Sequence, residues 1–206
     1  PLTVTGTVSD PTAVVIVING RRAARTPAPI EATFTKLTSQ AGIEQHPSLS
    51  PDGKWFVYAA QAPAGGQRIF LQSVGGQNPI DLTKDAASND TQPAFSPDGE
   101  QIAFRSARQG GGVFVMGRTG EFVRKVSDAG FNPAWSPDGR EIAYSTVTVD
   151  TNPYNRTGSG ELWTVTVGDG ARRQIYKGDA VQPAWSPHNS RIAFWAFGAN
   201  GQRRRA

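Results

Sequence analysis

The sequence contains no cysteine. Disulfides, thiolate metal sites and cysteine nucleophiles are therefore excluded, while the redox compartment stays open. Histidine is scarce: the two residues, His46 and His188, sit in no recognisable motif. Long apolar runs are missing too. The one such run, Ala13 to Ile18, is far shorter than the roughly 20 residues that cross a bilayer, and no signal peptide is visible. Basic residues do not form a stripe. The formal charge of +4 is concentrated in Arg21, Arg22 and Arg25 at one end and Arg203, Arg204 and Arg205 at the other. Without aromatics interleaved among them, these clusters read as solvated ends rather than a nucleic-acid surface. Gly158-Ser159-Gly160 lacks the spacing of a nucleophile elbow, and no Walker-type loop occurs. Gly110-Gly-Gly112 reads as a hairpin turn, and Asn89-Asp-Thr91 and Asn155-Arg-Thr157 match a glycosylation pattern that is often fortuitous. No catalytic residue, cofactor or metal centre is expected.

Glycine and proline are abundant instead, at 23 and 15 of 206 residues, which points to many short strands and turns. They recur in one tetrapeptide: Ser50-Pro51-Asp52-Gly53, Ser96-Pro97-Asp98-Gly99, Ser136-Pro137-Asp138-Gly139 and a worn copy, Ser186-Pro187-His188-Asn189. Proline suits the second position of a type I turn, aspartate the third, and glycine the left-handed fourth. Asparagine is the best non-glycine substitute there, so the worn copy keeps the turn and His188 reads as a tolerated turn residue. Each copy follows another proline (Pro47, Pro93, Pro133, Pro183) and precedes an apolar alternation such as Ile102-Ala103-Phe104 or Ile142-Ala143-Tyr144.

Successive turns lie 46, 40 and 50 residues apart. Four strands fit each interval; in the second unit they fall at 93–96, 101–106, 113–116 and 122–127. A four-stranded unit of about 40–50 residues is the signature of a propeller blade. The fold class is therefore all-β, a β-propeller of antiparallel blades with three full units and a partial fourth: about 45–84, 91–128, 131–177 and 181–206. Phe34-Thr-Lys-Leu-Thr38 resembles the strand that ends later units, and the third unit carries an insert from Thr148 to Gly160. Residues 1–30 read as a β-hairpin and linker ahead of repeats spanning 31–206, and the opening Pro1 points to a processed chain, an excised one or a fragment. Large and small side chains alternate within each unit, so both faces of each sheet are apolar and the aromatics belong to the core.

The repeat Pro-Ala-Phe/Trp-Ser-Pro-Asp-Gly-x-x-Ile-Ala-Phe/Tyr resembles that of the TolB-like, WD-like Pro-Asp propellers over residues 33–197. Gln77 to Thr83, Asp90 to Gly99 and Gly112 to Gly117 also resemble the propeller following the membrane helix of bacterial membrane-bound serine/threonine kinases. The resemblance implies a non-catalytic sensor or scaffold in the periplasm or outside the bacterial envelope. It implies a protein or peptide partner, no nucleic acid, no membrane insertion by this segment, and a parent chain with a membrane anchor. Family propellers usually have six blades, so the chain is expected to be part of one, unless its N-terminal strands complete the fourth unit and close a smaller ring. Two alternatives remain at this point: the accessory propeller of a prolyl-oligopeptidase-type serine peptidase, and an ion- or sugar-binding propeller.

Inner strands of a propeller start at the central channel, so the residue before each leading proline should face it. These are His46, Gln92, Asn132 and Gln182, all able to hydrogen-bond, with Glu44, Asp90 and Asp179 one step outward. Such a ring suits a peptide segment or an oxygen-ligated cation, and equally suits capping of loop backbone.

Overall fold

The structure is a computed structural model and describes residues 36–38, 42–62, 65–84, 88–148, 159–188, 190–197 and 203–205. All belong to one unit, Lys36–Ala206. The hairpin read at 1–30, most of the insert after Thr148, Asn155-Arg-Thr157 and the turn residue Asn189 lie outside them. The described residues run through fifteen strands: β1 (Glu44–Leu49), β2 (Trp55–Gln61), β3 (Gln67–Ser73), β4 (Ile80–Asp81), β5 (Asp90–Phe95), β6 (Gln101–Ser106), β7 (Gly112–Gly117), β8 (Arg124–Ser127), β9 (Phe131–Trp135), β10 (Glu141–Ser145), β11 (Leu162–Thr166), β12 (Arg172–Tyr176), β13 (Val181–Trp185), β14 (Ile192–Phe197) and β15 (Arg203–Arg205). They form antiparallel meanders of four, four, four and three strands, one per repeat. The first strands neighbour one another, β1 against β5, β5 against β9 and β9 against β13. This is the fan of a β-propeller, with those four strands innermost.

Each unit is set by its turn, and three turns are atomically alike. Ser50 Oγ donates to Asp52 Oδ1 at 2.6 Å, while the Lys54 N–H donates to that same oxygen at 3.1 Å. The Trp55 N–H in turn donates to Ser50 Oγ at 2.9 Å. The same three bonds recur around Ser96 and Asp98 and around Ser136 and Asp138. Glycine closes each turn at φ of 68°, 75° and 70°. These turns also abut: a Cβ placed on Gly99 would meet Pro51 Cδ at 3.3 Å.

Packing between sheets follows one rule, aromatic-rich face onto small or aliphatic face. Phe95, Ile102, Phe104, Phe114 and Met116 of the second sheet cover Val57, Ile69, Leu71 and Leu82 of the first. Trp135, Ile142 and Tyr144 of the third then cover Ala103, Val113 and Val115 of the second. Trp185, Ile192 and Phe194 of the fourth cover Ala143 and Leu162. Tryptophan adds a directed bond, as Trp135 Nε1–H donates to the Ala94 carbonyl at 3.0 Å. Small faces let neighbouring sheets approach closely enough for the aromatic layer to fill the gap.

Gly110-Gly-Gly112 completes the β6–β7 hairpin turn: a short 3-10 turn spans Arg108–Gly110, the Gly111 N–H donates to the Arg108 carbonyl, and Gly112 opens β7. One local expectation changes. At 36–38 the described residues join no strand. The Leu37 carbonyl accepts from Gln72 Nε2 at 2.9 Å instead. Side-chain bonding to backbone here competes with a β-ladder.

The packing rule gives a paired prediction. Ala103 is 0% exposed beneath the third sheet, whereas Ala193, its counterpart in the fourth, is exposed. Ala103→Leu is expected to destabilise by about 1–3 kcal/mol through overpacking. Ala193→Leu should stay within about 0.5 kcal/mol. Urea denaturation of the two variants checks this.

Candidate functional site: the inner-strand ring

The four residues singled out by their place before proline share a backbone conformation that few side chains adopt. His46, Gln92, Asn132 and Gln182 have φ of 54°, 54°, 53° and 50°. Each sits in a bulge where the inner strand has one residue more than its partner. In the second unit Thr91 pairs with Arg105 and Ala94 with Ala103, so Gln92 and Pro93 oppose the single residue Phe104. The other three units repeat this shift at the same step. An extra residue before proline has to turn its backbone aside, and holding a non-glycine residue there costs of order 1–3 kcal/mol.

The ring's side chains do different things. Gln92, buried, joins neighbouring units: its Oε1 accepts the Asn132 N–H at 2.7 Å and its Nε2 donates to Thr148 Oγ1 at 3.3 Å. Asn132 Oδ1 is buried with no hydrogen-bond partner, and Gln182 is exposed. Burial lowers the pKa of half-buried His46, which favours a neutral imidazole.

The carboxylates are less uniform than their sequence positions suggest. Counted back from each turn serine, Glu44 and Asp90 occupy equivalent positions, but Gly130 and Ala180 fill that place in the third and fourth units. Asp179 stands one residue earlier and accepts the Gly160 N–H at 3.1 Å. Asp90 is fully buried and bonded to Arg108 Nη2 at 2.5 Å, with Ser88 Oγ 3.2 Å from its other oxygen. Glu44 accepts from the Thr38 hydroxyl through Oε2, while its Oε1 is buried and unpartnered.

The opposite end of the inner strands carries the Pro-Asp turns. A groove of about 280 Å³ separates the third and fourth turns, lined by Asp138, Glu141, Trp185 and His188 among others. His188 thus faces this groove, away from the ring set. Sequence reasoning did not find the groove, because it forms between two turns that lie 50 residues apart in the sequence.

Comparison with known proteins settles the family. Residues 29–153, more than half of the chain, match the model of the TolB beta propeller domain. The chain belongs to that family. Its fold is similar to TolB from Acinetobacter baumannii, with TM-score 0.67 and 20% identity over 82% of this chain and 41% of that one. A TolB-type protein of Agrobacterium tumefaciens gives 0.66 and 23% over 80% of this chain and 58% of that one. A puromycin hydrolase gives 0.59 and 16% over 82% of this chain but 29% of that one. The TolB-family propeller described here therefore spans about half the length of the two TolB-type chains.

The turns give a titration prediction. The Ser96 hydroxyl first, and the Glu100 N–H second, hold the Asp98 carboxyl below its ordinary pKa of 3.8. A carboxyl depressed on folding contributes stability above its unfolded pKa, and that stability is lost as pH falls through the folded value. Ser96→Ala is expected to move the Asp98 midpoint up toward the ordinary value and to bring acid unfolding to higher pH. NMR titration of the Asp98 side chain, with circular dichroism from pH 5 to 2, checks both.

Proposed function

We propose that this TolB-family propeller is a non-catalytic binding module that receives a protein or peptide segment at its inner-strand ring. It acts as the sensing or scaffolding part of a larger envelope protein. The observation that carries the reading is the left-handed backbone of His46, Gln92, Asn132 and Gln182, repeated at one step of four inner strands. Strain kept at the same place in every unit, with polar side chains attached, marks a surface preserved against the more stable glycine alternative. Membership of the TolB family supports a binding role, and the sensor reading rests on the sequence likeness of Gln77 to Thr83, Asp90 to Gly99 and Gly112 to Gly117 to kinase-linked propellers.

A second reading draws on the puromycin hydrolase likeness, which extends over 82% of this chain. There the propeller would accompany a serine hydrolase domain. A downstream Gly-x-Ser-x-Gly segment in the parent reading frame would favour it, whereas an upstream kinase domain and membrane helix would favour the sensor.

Two measurements test the ring. Gln182→Gly should raise stability by about 1 kcal/mol in urea denaturation, because it relieves left-handed strain at an exposed side chain. The pair Gln92→Ala and Gln182→Ala should weaken calorimetric binding of a partner recovered from envelope extracts at least tenfold. Unchanged affinity removes the ring from the binding surface.

A further inference from the structure

The first three Pro-Asp turns abut, whereas the third and fourth are separated by open space. A Cβ on Gly99 would meet Pro51 Cδ at 3.3 Å, and one on Gly139 would meet Pro97 Cδ at 3.8 Å. Pro137 of the third turn instead lines the groove of about 280 Å³. Asp138, His188 and Ser190 in that lining are exposed, so the groove is reached directly from solvent.

Its lining is negatively charged. Two carboxylates take part, Asp138 and Glu141, and among the described residues neither lysine nor arginine does. The Ser136 hydroxyl first, and the Arg140 N–H second, hold the Asp138 carboxyl below its ordinary pKa of 3.8, which keeps it ionised at neutral pH. Arg140 adds a through-space attraction to Asp138. Arg173, itself exposed, comes no nearer than 3.5 Å to Glu141 Oε1. Surface contacts of that length contribute little.

The apolar part of the groove is Trp185, which is partly exposed. Its counterpart Trp135 is tied to the preceding sheet by the bond from its indole N–H to the Ala94 carbonyl at 3.0 Å. The Trp185 N–H is buried and has no hydrogen-bond partner, so packing beside Ala143 and Leu162 holds this indole. An indole surface next to carboxylates favours an organic cation.

Each carboxylate has one oxygen already engaged. Asp138 Oδ1 accepts from the Ser136 hydroxyl at 2.6 Å and from the Arg140 N–H at 3.1 Å. Glu141 Oε1 faces Thr164 Oγ1 at 3.4 Å as well as Arg173. A guanidinium fork needs both oxygens of one carboxylate for its paired bonds. An ammonium has three donors directed apart and a long alkyl stem, so it suits single oxygens on separate groups beside an apolar wall.

We propose that this groove receives the side chain of a lysine presented by a partner polypeptide, its ammonium meeting Asp138 and Glu141 and its stem lying on Trp185. The site is at the opposite end of the inner strands from the ring, so it goes beyond the binding reading above and does not rest on it.

The test uses the full chain and N-acetyl-lysine methylamide as probe, followed by NMR at the Trp185 indole N–H and the Glu141 carboxylate. The wild type should bind saturably. An analogue with a methyl group in place of the ammonium should bind about tenfold more weakly, the cost of losing the charge-assisted bonds. Glu141→Gln should weaken the lysine probe by about the same factor. Asp138→Asn should act alike; if that variant does not fold, Glu141→Gln carries the test. Absence of saturable binding to the wild type overturns the proposal, as does equal affinity for the methyl analogue or for the Glu141→Gln variant. N-acetyl-arginine methylamide should bind more weakly than the lysine probe, and equal or tighter binding overturns the assignment to lysine. The Gln92→Ala, Gln182→Ala pair should leave probe affinity unchanged, so failure of the ring reading and failure of this one are separately visible.

Discussion

Apolar side chains line the sheets of this propeller, and wherever one sheet follows another the facing pair is kept from water. The structure answers with an asymmetric contact in which a layer of aromatic and branched side chains from one sheet rests on small or aliphatic residues of the sheet before it. That contact fixes the separation of the sheets and brings their first strands side by side. It also fixes what those strands present at their ends. Burying a large side chain contributes about 1.5–3 kcal/mol, so three such junctions outweigh the backbone strain held at the four bulges.

Strain and packing are linked through the bulge. An extra residue in each inner strand lets the chain keep its apolar alternation on both sides of a kink. The residue that absorbs the kink cannot point into either sheet face, so its side chain is polar and free for other work. In Gln92 that work is joining two units; in Asn132 it leaves an oxygen without a donor. One device therefore both shapes the strand and places polar groups at the strand openings.

Much of this was legible in the residues. The Ser-Pro-Asp-Gly turn announces its own hydrogen bonds, because serine and aspartate bond locally wherever the geometry allows. The large-small-large triplets announce the stacking, and the proline spacing announces the ring positions. The left-handed backbone was not legible, since proline disfavours helical values in the residue before it without selecting positive φ. Nor was the division among the carboxylates. Asp179 looks equivalent to Glu44 and Asp90 until the units are aligned on their turns, and the Asp90–Arg108 bond joins the first strand of the second sheet to the 3-10 turn between β6 and β7. Pair contacts of that kind depend on register, and register is fixed by turns and bulges together.

The separation of ring residue and turn serine carries one more implication. It is four in every unit, from His46 to Ser50, Gln92 to Ser96, Asn132 to Ser136 and Gln182 to Ser186, while the turns themselves lie 46, 40 and 50 residues apart. Length variation is thus confined to the connections and shut out of the innermost strands. Losing one residue there would reverse the orientation of all that precede it, so a gene encoding these repeats can lengthen its outer loops freely while its axial segments tolerate no insertion or deletion.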